Sequence, residues 1–385
     1  MQLYEFQAKQ VFRECGISIP KGRLATSADQ AAQIASELGR AVAIKAQVAV
    51  GGRGLAGAVK FAADPNEAEK IASIVLGMDV RGETPTCVLV EEKMEIIREL
   101  YAGITWDYAS KCPVIVASSR GGVDIESVAR DHPRDIARLA IDPFRGYSAY
   151  HGRELATRIG LRDTEVGLYS GVLSSLWAIF SEHDAELVEA NPLAVLRDGT
   201  FVALDAKFNL DDKSVYRQSN FIDRLGKMPT PPPEGLAYRR FRAKERGIPT
   251  YIEMEGNIGV VADGAGSGML TLDLVADAGG KTRAYCEMGG EATSQLIESA
   301  VQVVLANEDV RVVLINLIGG LNLMDEMAKG IANYVVANSP RLPIVVRMSG
   351  TREDEGRKIL SEHKIEFFDN LYDAVETAVR FSKGS

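Results

Sequence analysis

The chain has 385 residues, of which 46% are apolar and 25% charged, as expected for a globular protein with two or three domains. Its net charge of −9 and its lack of any long basic run argue against a nucleic-acid-binding surface. No apolar run reaches the roughly 18 residues of a membrane-spanning helix, and the N-terminus lacks the pattern of a signal peptide. The four scattered cysteines form no CxxC pair, so we expect reduced thiols in a cytoplasmic protein.

The N-terminal part predicts two helices and then a strand that runs into a glycine-rich loop. The helices are expected at residues 2–15 and 28–39. The strand AVAIKAQV carries Lys45, and the segment VGGRGLAG follows it. Backbone N–H groups of such a loop, with Lys45 and Arg53 as cations, can hold phosphate groups. Taken alone, the loop could also be the flexible tip of a plain β-hairpin.

Helices and antiparallel strands are predicted over the next part of the chain. The strand TCVLVEEK, at 86–93, ends in acidic residues, and the edge of such a strand could bind an adenine base through backbone groups. The other elements expected here are a helix at 65–76, a β-hairpin formed by ELYAGITWD and residues 112–119, a short helix after GGVDIE, and helices at 134–140, 150–159 and 163–182.

Three oxygen-bearing side chains occur on one predicted β-hairpin. Its strands are expected at 187–196 and 201–208, joined by an Asp-Gly turn. Their pairing would bring Asn191 close to Asp205, and Glu189 would point to the same face as Asn191. An amide oxygen and a carboxylate suit Mg²⁺, which leaves its other positions to water and phosphate. The hairpin therefore predicts a phosphoryl-transfer site, with a simple solvated surface as the alternative.

The C-terminal part has a different pattern. Residues 209–250 are expected to form a linker and interdomain surface, with a proline-rich stretch and a basic run, YRRFRAKER, that is typical of a solvated helix face. From residue 256 onwards, apolar strands alternate five times with helices. This pattern predicts a doubly wound parallel sheet of flavodoxin-like type, whose ligands bind beyond the carboxyl ends of the strands. The segment DGAGSG lacks the spacing of a dinucleotide-binding fingerprint, so NAD binding is not expected.

Several motifs, in order along the whole chain, resemble those of the β subunit of the ADP-forming succinate–CoA ligase family, which includes malate–CoA ligase-like members. They are YEFQAKQVF, AIKAQVAVGGRG, GGVDIE, VEANPL and LDAK. The resemblance implies a mixed α/β protein with an ATP-grasp domain at 1–225, a linker at 226–250 and a flavodoxin-like CoA-ligase domain at 251–385. It also implies an ADP-forming ligase that uses Mg²⁺ and ATP, with GTP not excluded.

The resemblance further implies a role for individual residues. Glu189 matches the acid that faces a swinging phosphohistidine, and Asn191 and Asp205 match the magnesium ligands. The implied nucleotide-binding residues are Lys45, Gly52, Arg53, Gly54, Glu91, Met94 and Glu99. The implied residues of the acid-substrate site are Asp263, Gly320, Leu321 and Asn322.

The expected acid site departs from the family pattern. Asp263 stands where the family usually has asparagine, and a carboxylate there would repel a dicarboxylate unless it is protonated or paired. Glu291 interrupts a usual Gly-Gly-Gly-Ala segment, and its charge suits a helix N-terminus but not an approaching phosphate. Asn322 could bond a substrate hydroxyl, and Leu323-Met324 replaces Arg-Cys. Malate or another organic acid is therefore an alternative to succinate.

A partner chain is expected for the full reaction, because the family's phosphohistidine belongs to the α subunit. The histidines of this chain do not lie in glycine loops: His132, His151, His183 and His363. We therefore expect an α subunit with the phosphohistidine and the CoA site, in an αβ or α2β2 assembly, and a carboxylate substrate. Three hypotheses remain: a catalytic β subunit acting on succinate, the same chemistry on a different acid, and a non-catalytic regulatory relative that binds only nucleotide and partner.

Overall fold

The structure of the protein is a computed structural model that describes five stretches of the chain: residues 1–48, 57–80, 82–228, 235–290 and 292–384. The chain divides into two compact units, Met1–Pro232 and Pro233–Ser385. Both units combine helices with β-sheets, as the sequence predicts. Within the described stretches, every helix is too short or too polar to span a bilayer.

The first unit contains a small antiparallel sheet that is covered by two helices on one face. In chain order, the elements up to the end of this sheet are α1 (Glu5–Glu14), β1 (Gly22–Ala25), α2 (Ala28–Leu38), β2 (Val42–Ala46), β3 (Val59–Ala62), α3 (Pro65–Leu76) and β4 (Val88–Glu92). The strand order is β1-β4-β2-β3. Val42, Ile44 and Ala46 of β2 pack against α2 and α3, so Lys45 lies on the opposite face of the strand.

Local sequence signals account for the helices α2 and α3, and both predictions are confirmed. The Ser27 side chain caps the start of α2, which ends at Gly39 in the left-handed conformation. Asp64 caps α3 in the same way, and Pro65 occupies its first turn, where a missing N–H costs nothing.

The larger sheet of the first unit is antiparallel and is covered by α1 and by two later helices. Its elements are β5 (Ile96–Asp107), β6 (Cys112–Ser118), α4 (Ile125–Asp131), β7 (Ile136–Ala140), α5 (Ala149–Arg158), α6 (Asp163–Glu182), β8 (Ala185–Leu196), β9 (Phe201–Ala203), β10 (Ala206–Leu210) and α7 (Ser219–Gly226). The strand order is β10-β8-β5-β6-β7, and β9 also pairs with β8. The main hydrophobic core lies between this sheet and the helices α1, α5 and α6.

The predicted helix at 134–140 is wrong. A single 3₁₀ turn, Pro133–Asp135, leads into β7, which pairs with β6 at the edge of the sheet. The segment IARLA has residues that favour a helix locally, but its ladder of hydrogen bonds to β6 is non-local and overrides that preference. The neighbouring predictions are confirmed, because β5 and β6 form the expected hairpin and α4 follows it.

The predicted hairpin at 187–208 forms, with a short break in its second strand. Leu193 pairs with Ala203, and Ala190 pairs with Ala206. This register places Asp205, which lies between β9 and β10, directly across from Asn191. The predicted proximity of these two residues is therefore a consequence of strand pairing.

The second unit is built around a parallel sheet with helices on both faces. Its elements are α8 (Gly235–Glu245), β11 (Thr250–Glu253), β12 (Ile258–Ala262), α9 (Ala265–Asp277), β13 (Thr282–Glu287), α10 (Ser294–Leu305), β14 (Val312–Gly319), α11 (Met324–Asn338), β15 (Ile344–Gly350), α12 (Glu353–Glu362), β16 (Glu366–Phe368) and α13 (Leu371–Ser382). The strand order is β11-β13-β12-β14-β15-β16. The five strands from β12 onwards are parallel and follow the order 2-1-3-4-5 of a flavodoxin-like sheet.

Part of the segment expected as a linker is structured. Strand β11 pairs antiparallel with β13 at the sheet edge, and Ala243 and Ile248 belong to the hydrophobic core of the second unit. The basic run therefore lies on a helix, α8, whose inner side packs on this unit. The boundary at residue 225, between the ATP-grasp domain and the linker, stays a prediction.

Candidate functional site

Lys45 is buried on the face of β2 that is turned away from α2 and α3, and among the described residues three groups hold it. Its ammonium contacts the carboxylates of Glu5 and Glu91, at 3.2 and 2.5 Å, and donates to the backbone oxygen of Leu204. Burial alone would lower the pKa of Lys45, but the carboxylates of Glu5, Glu91 and Asp205 outweigh it and hold this pKa above its ordinary value. Lys45 is therefore a permanent cation close to Asp205.

Glu91, a predicted nucleotide-binding residue on β4, lies in an ion-pair cluster. Its carboxylate is shared by Lys45 and by Lys9 of α1, whose ammonium lies 2.6 Å from the Oε2 atom of Glu91. The strand register places Glu91 across from Ala43, so its side chain lies diagonally beside Lys45 on the same face of the sheet. Glu91 therefore forms an ion pair with Lys45 and helps to raise the pKa of its ammonium group.

Glu189 is held by a tyrosine that sequence reasoning did not identify. The Tyr101 hydroxyl donates to Oε2 of Glu189 at 3.1 Å. Tyr101 lies on β5, where Gly103 pairs with Glu189, and a Cβ atom at Gly103 would lie 2.5 Å from the Tyr101 oxygen. Burial raises the pKa of Glu189, and the attraction of Lys207 and the bond from Tyr101 offset this only in part. The carboxyl group is thus fixed in position, and its pKa lies above the ordinary value of a glutamate.

The amide of Asn191 is clamped by the loop that precedes α4. Its Oδ1 atom accepts a hydrogen bond from the backbone N–H of Gly122 at 2.8 Å, and its Nδ2 atom donates to the backbone oxygen of Val123 at 3.0 Å. Because one contact requires an acceptor and the other a donor, the amide orientation is fixed. The Oδ1 atom has a second lone pair and can still bind a cation.

The set of donors around Asp205 fits Mg²⁺. One Asp205 oxygen accepts from the backbone N–H of Ala206 at 2.8 Å, and its charge acts on both Lys45 and Glu189. In the part of the chain that the structure describes, no group of three or more His, Cys, Asp or Glu could hold a metal by itself. The donors are instead one amide oxygen and one carboxylate, and Mg²⁺ commonly takes one or two protein oxygens and fills its remaining positions with water and phosphate.

The other predicted nucleotide residues lie near the connection between β4 and β5. Met94 lines a cleft of about 730 Å³ together with Arg40, Lys93 and Arg197, which is a usual size for a small-molecule site. Glu99, further along β5, is half-buried, and burial raises its pKa. The predicted phosphate-binding residues Gly52, Arg53 and Gly54 lie outside the part of the chain that the structure describes.

Asp263 of the second unit follows β12 and is buried. Its Oδ2 atom accepts from the backbone N–H of Ile318 at 2.8 Å, and its Oδ1 atom accepts from the Ser267 hydroxyl at 3.2 Å. The carboxylate therefore joins the carboxyl ends of β12 and β14 to the first turn of α9. Both of these donors are neutral, so they satisfy the carboxylate oxygens without compensating a negative charge.

The loop after β14 contains the other predicted acid-site residues. The amide of Asn322 accepts from the backbone N–H of Ala292 at 2.8 Å and donates to the backbone oxygen of Gly289 at 3.3 Å. Asn322 is therefore occupied with the loop between β13 and α10, whereas Gly320 and Leu321 are exposed. Glu291, which belongs to that same loop, lies outside the described residues.

Comparison with known proteins identifies the family. A family model of the ATP-grasp domain matches residues 2–195, and one of the CoA-ligase domain matches residues 261–381. The chain is 40% identical to the succinate–CoA ligase [ADP-forming] subunit beta of Desulfurococcus amylolyticus, over 385 residues and 100% of both chains. The chain belongs to the succinate–CoA ligase (ADP-forming) β-subunit family.

Other relatives of this β-subunit family member agree in sequence and in fold. Its counterpart from Herpetosiphon aurantiacus is 39% identical over 384 residues and 100% of both chains. The solved structure of ATP citrate lyase from Methanothrix soehngenii, in complex with citrate and coenzyme A, has a TM-score of 0.72 over 98% of this chain and 99% of that one. At 19% identity this likeness shows the fold alone. The predicted ATP-grasp and CoA-ligase folds are thus confirmed, and the chain is a ligase of an ATP-using family.

Sequence reasoning missed several residues that hold the site of this β-subunit family member. Glu5 and Lys9 are charged residues four apart on the buried face of α1, and that placement was the available signal. Tyr101 had only the weak signal of a glycine two residues later in the same strand. Gly122 was noticed as part of a motif, but its contact with Asn191 joins residues far apart in sequence.

Proposed function

We propose that this chain is the nucleotide-binding β subunit of an ADP-forming acid–CoA ligase, with succinate as the default acid. In the overall reaction, ATP, a carboxylate and CoA give ADP, phosphate and acyl-CoA. The observation that carries the proposal is that Lys45, on the smaller sheet of the first unit, converges with the hairpin of the larger sheet. That hairpin carries Glu189, Asn191 and Asp205. One cation, two metal-type oxygens and one buried acid are the groups that phosphoryl transfer requires.

Each of these residues has a separate task in the proposal. Lys45 neutralises phosphate oxygens of ATP, while Asn191 and Asp205 hold Mg²⁺. When bound, Mg²⁺ offsets charge on the phosphates during transfer. Glu99 and Met94 bind the nucleoside, and Met94 lies in the cleft whose volume suits it. Gly52, Arg53 and Gly54 bind phosphate groups, Glu91 sets the charge around Lys45, and ATP is preferred to GTP.

Glu189 is proposed to face a histidine of the α partner that receives the phosphoryl group. The Tyr101 hydroxyl fixes the carboxyl group, which is placed within the field of both Lys207 and Asp205. A buried carboxyl group with a raised pKa can orient an imidazole by hydrogen bonding and hold a proton on it. Glu189 is therefore the residue of this chain closest in role to a catalytic acid–base.

The histidines of this chain have structural contacts, which supports a histidine from an α partner. His183 stacks on Phe221 with ring centroids 4.1 Å apart, and the Nδ1 atom of His151 accepts from the backbone N–H of Ser148. His132 and His363 end helices α4 and α12. We propose an α subunit that carries the phosphohistidine and the CoA site, in an αβ or α2β2 assembly. The cytoplasmic location also stays a prediction.

The same chemistry on malate or another organic acid is a second candidate, and the contacts of Asp263 favour it. Among the described residues, the hydrogen-bond donors to this carboxylate are neutral, so they leave its negative charge uncompensated at the edge of the sheet where acid substrates are expected. Gly320, Leu321 and Asn322 are proposed to complete that site. The hydroxyl of a hydroxy acid could donate a hydrogen bond to the Asp263 carboxylate, whereas succinate, which has no hydroxyl, would meet only repulsion.

The test is a substrate screen with the assembled enzyme. The chain would be co-expressed with an α-type subunit of the same organism, and CoA- and Mg·ATP-dependent ADP release would be measured with succinate, malate, citrate and glutarate. Phosphorylation of the α subunit by labelled ATP would be measured separately. Phosphorylation with a preference for succinate supports the first candidate, and a preference for another acid supports the second. Nucleotide binding without phosphorylation would contradict both and favour a regulatory relative.

A further inference from the structure

Helix α1 is tied to both sheets of the first unit. The backbone N–H of Leu3, just before the helix, donates to the oxygen of Phe208 in β10 at 2.9 Å. In the first turn of the helix, the N–H of Phe6 donates to the side-chain oxygen of Gln47, directly after β2, at 3.1 Å. The helix thereby links the end of β2, the strand that carries Lys45, to β10, the strand that follows Asp205.

The buried side of α1 carries two charged residues: Glu5, which contacts Lys45, and Lys9, which contacts Glu91. Lys9 lies 2.9 Å from Glu5, one helical turn away, and its ammonium donates to both oxygens of Glu91 at 2.8 and 2.6 Å. Glu5 in turn contacts Lys45 at 3.2 Å, and Lys45 contacts Glu91. The four side chains therefore form a closed ring in which each carboxylate contacts both ammonium groups.

The ring contains two positive and two negative groups and is almost fully buried. Glu5, Lys9, Lys45 and Glu91 are between 1 and 7% exposed. Buried charges are tolerated only when each has an opposite partner in good geometry, and loss of one partner leaves a charge uncompensated. Without Lys9, Glu91 would keep only the Lys45 ammonium among its described ion-pair partners, and Glu5 would lose one of its two ammonium contacts.

This arrangement bears on how Lys45 can bind a phosphate. A phosphate group must compete with Glu5 and Glu91 for the Lys45 ammonium, and it would be repelled by any carboxylate that Lys45 leaves behind. Lys9 contacts both carboxylates, so Lys45 can turn towards a phosphate while each carboxylate keeps one ammonium partner. We propose that Lys9, held by Glu5, is a positioning residue that allows Lys45 to bind the nucleotide phosphates. This inference rests on the proposed function of Lys45.

The test compares a phosphate-bearing ligand with one that lacks phosphate. Mg·ATP and adenosine binding would be measured by calorimetry on the complex with the α subunit, for the wild type and for Lys9→Met, Lys9→Arg and Arg13→Met. We expect Lys9→Met to weaken Mg·ATP binding about tenfold or more and adenosine binding less than about twofold. Lys9→Arg keeps the charge and should recover most of the Mg·ATP affinity. Arg13 is an exposed cation on the same helix, so Arg13→Met should bind both ligands as the wild type does.

The outcomes separate this inference from the proposed function. If the wild type does not bind Mg·ATP, the proposed function and the inference both fail. If the wild type binds it and Lys9→Met binds it equally well, or if Lys9→Met loses ATP and adenosine in the same proportion, only the inference is overturned. Should Lys9→Met fail to fold, the double variant Glu5→Gln/Lys9→Met removes one charge of each sign. Its Lys45 still faces a Glu91 that lacks Lys9, so the same selective loss of Mg·ATP is expected, and its absence would refute the inference.

Discussion

The backbone N–H of Gly122 fixes the orientation of the side-chain amide of Asn191, a proposed magnesium ligand. Its N–H donates to the Asn191 amide oxygen at 2.8 Å, while the next residue, Val123, accepts from the amide nitrogen at 3.0 Å. Gly122 has φ of +71°, and a Cβ atom there would lie 2.3 Å from the Oε2 atom of Glu99. One glycine thus connects a proposed metal ligand with a proposed nucleotide ligand.

Replacing this glycine should damage both functions at once. Gly122→Ala places a side chain in the left-handed region, which costs about 1–2 kcal/mol, and pushes a methyl group against Glu99. We expect phosphorylation of the α subunit by Mg·ATP to fall at least about tenfold, because misplacement by about 1 Å in a phosphoryl-transfer site is severe. The rate would be measured with labelled ATP, and stability by urea denaturation.

Gly146 provides a matched control for this variant. Its φ is +69°, and a Cβ atom there would meet nothing within 4 Å. Gly146→Ala should therefore have a similar backbone cost and near-normal phosphorylation. Equal losses of activity in both variants would show that Gly122 acts through stability alone.

Asp205→Ala removes the only carboxylate of the proposed magnesium pair. We expect phosphorylation of the α subunit to fall about 100-fold or more, as when a main electrostatic group of a transition state is lost. The first unit should remain folded, because Lys45 keeps Glu5 and Glu91 as partners. Both tryptophans, Trp106 and Trp177, lie in this unit, so their fluorescence during denaturation reports its folding.

An exposed aspartate away from this hairpin offers a control for Asp205. Asp29 lies in the first turn of α2, which covers the face of β2 opposite to Lys45. Asp29→Ala should leave phosphorylation within about twofold of the wild type. If Asp205→Ala retains full activity as Asp29→Ala does, the assignment of the metal ligands is wrong.

The parts of the fold that the sequence predicted have short-range causes. Ser27 and Gly39 mark the two ends of α2 within the helix itself, and the five βα units of the second unit each have an apolar strand. Segment 134–140 could not be predicted in this way, because β7 is a strand only through its pairing with β6. Local propensity alone therefore predicted a helix there.

The sequence predicted which residues belong to the candidate site, but not most of the contacts between them. The register that places Asp205 across from Asn191 follows from a local hairpin and was foreseen. The partners of Lys45 were not, since Glu5 lies 40 residues away in sequence, and Lys9 lies 82 residues from Glu91. Likewise, Asp263 is bonded to an N–H 55 residues away, a contact that only the adjacency of β12 and β14 creates.

The charge of Asp263 should decide how well succinate is used. In Asp263→Asn, the amide oxygen can still accept from Ile318 and the amide nitrogen can donate to the Ser267 oxygen, so the stability change should be within about 1 kcal/mol. Removal of the negative charge should lower the apparent KM for succinate roughly threefold or more. Steady-state rates of the complex with the α subunit would be measured over a range of succinate and malate concentrations.

The opposite end of α9 supplies the control for this charge change. Asp277 is the last residue of that helix and is exposed, so Asp277→Asn removes the same charge away from the carboxyl ends of the strands. It should leave the KM for both acids unchanged. An unchanged succinate KM in Asp263→Asn would refute the repulsion by Asp263.

Glu189 should be a residue at which stability and activity conflict. Burial raises its pKa in the folded protein, so its favourable contribution to folding is present below its unfolded pKa and is lost as the pH rises through the folded pKa. Glu189→Gln should therefore raise the free energy of unfolding at pH 8 relative to the wild type, and the difference should shrink towards pH 4. Urea denaturation followed by tryptophan fluorescence at both pH values measures this difference.

A second acid on the same strand distinguishes a buried charge from charge in general. Glu186 is exposed on β8, and Glu186→Gln should show no such pH-dependent gain in stability. Glu189→Gln should also lose most phosphorylation of the α subunit, because an amide can accept from Tyr101 but cannot hold or release a proton at pH 8. A variant that is more stable at pH 8 yet fully active would confirm that burial of the Glu189 charge costs stability. It would also rule out the proposed role of Glu189 towards the histidine. Such a result would mean that an acceptor for the Tyr101 hydroxyl, acid or amide, is sufficient at this position.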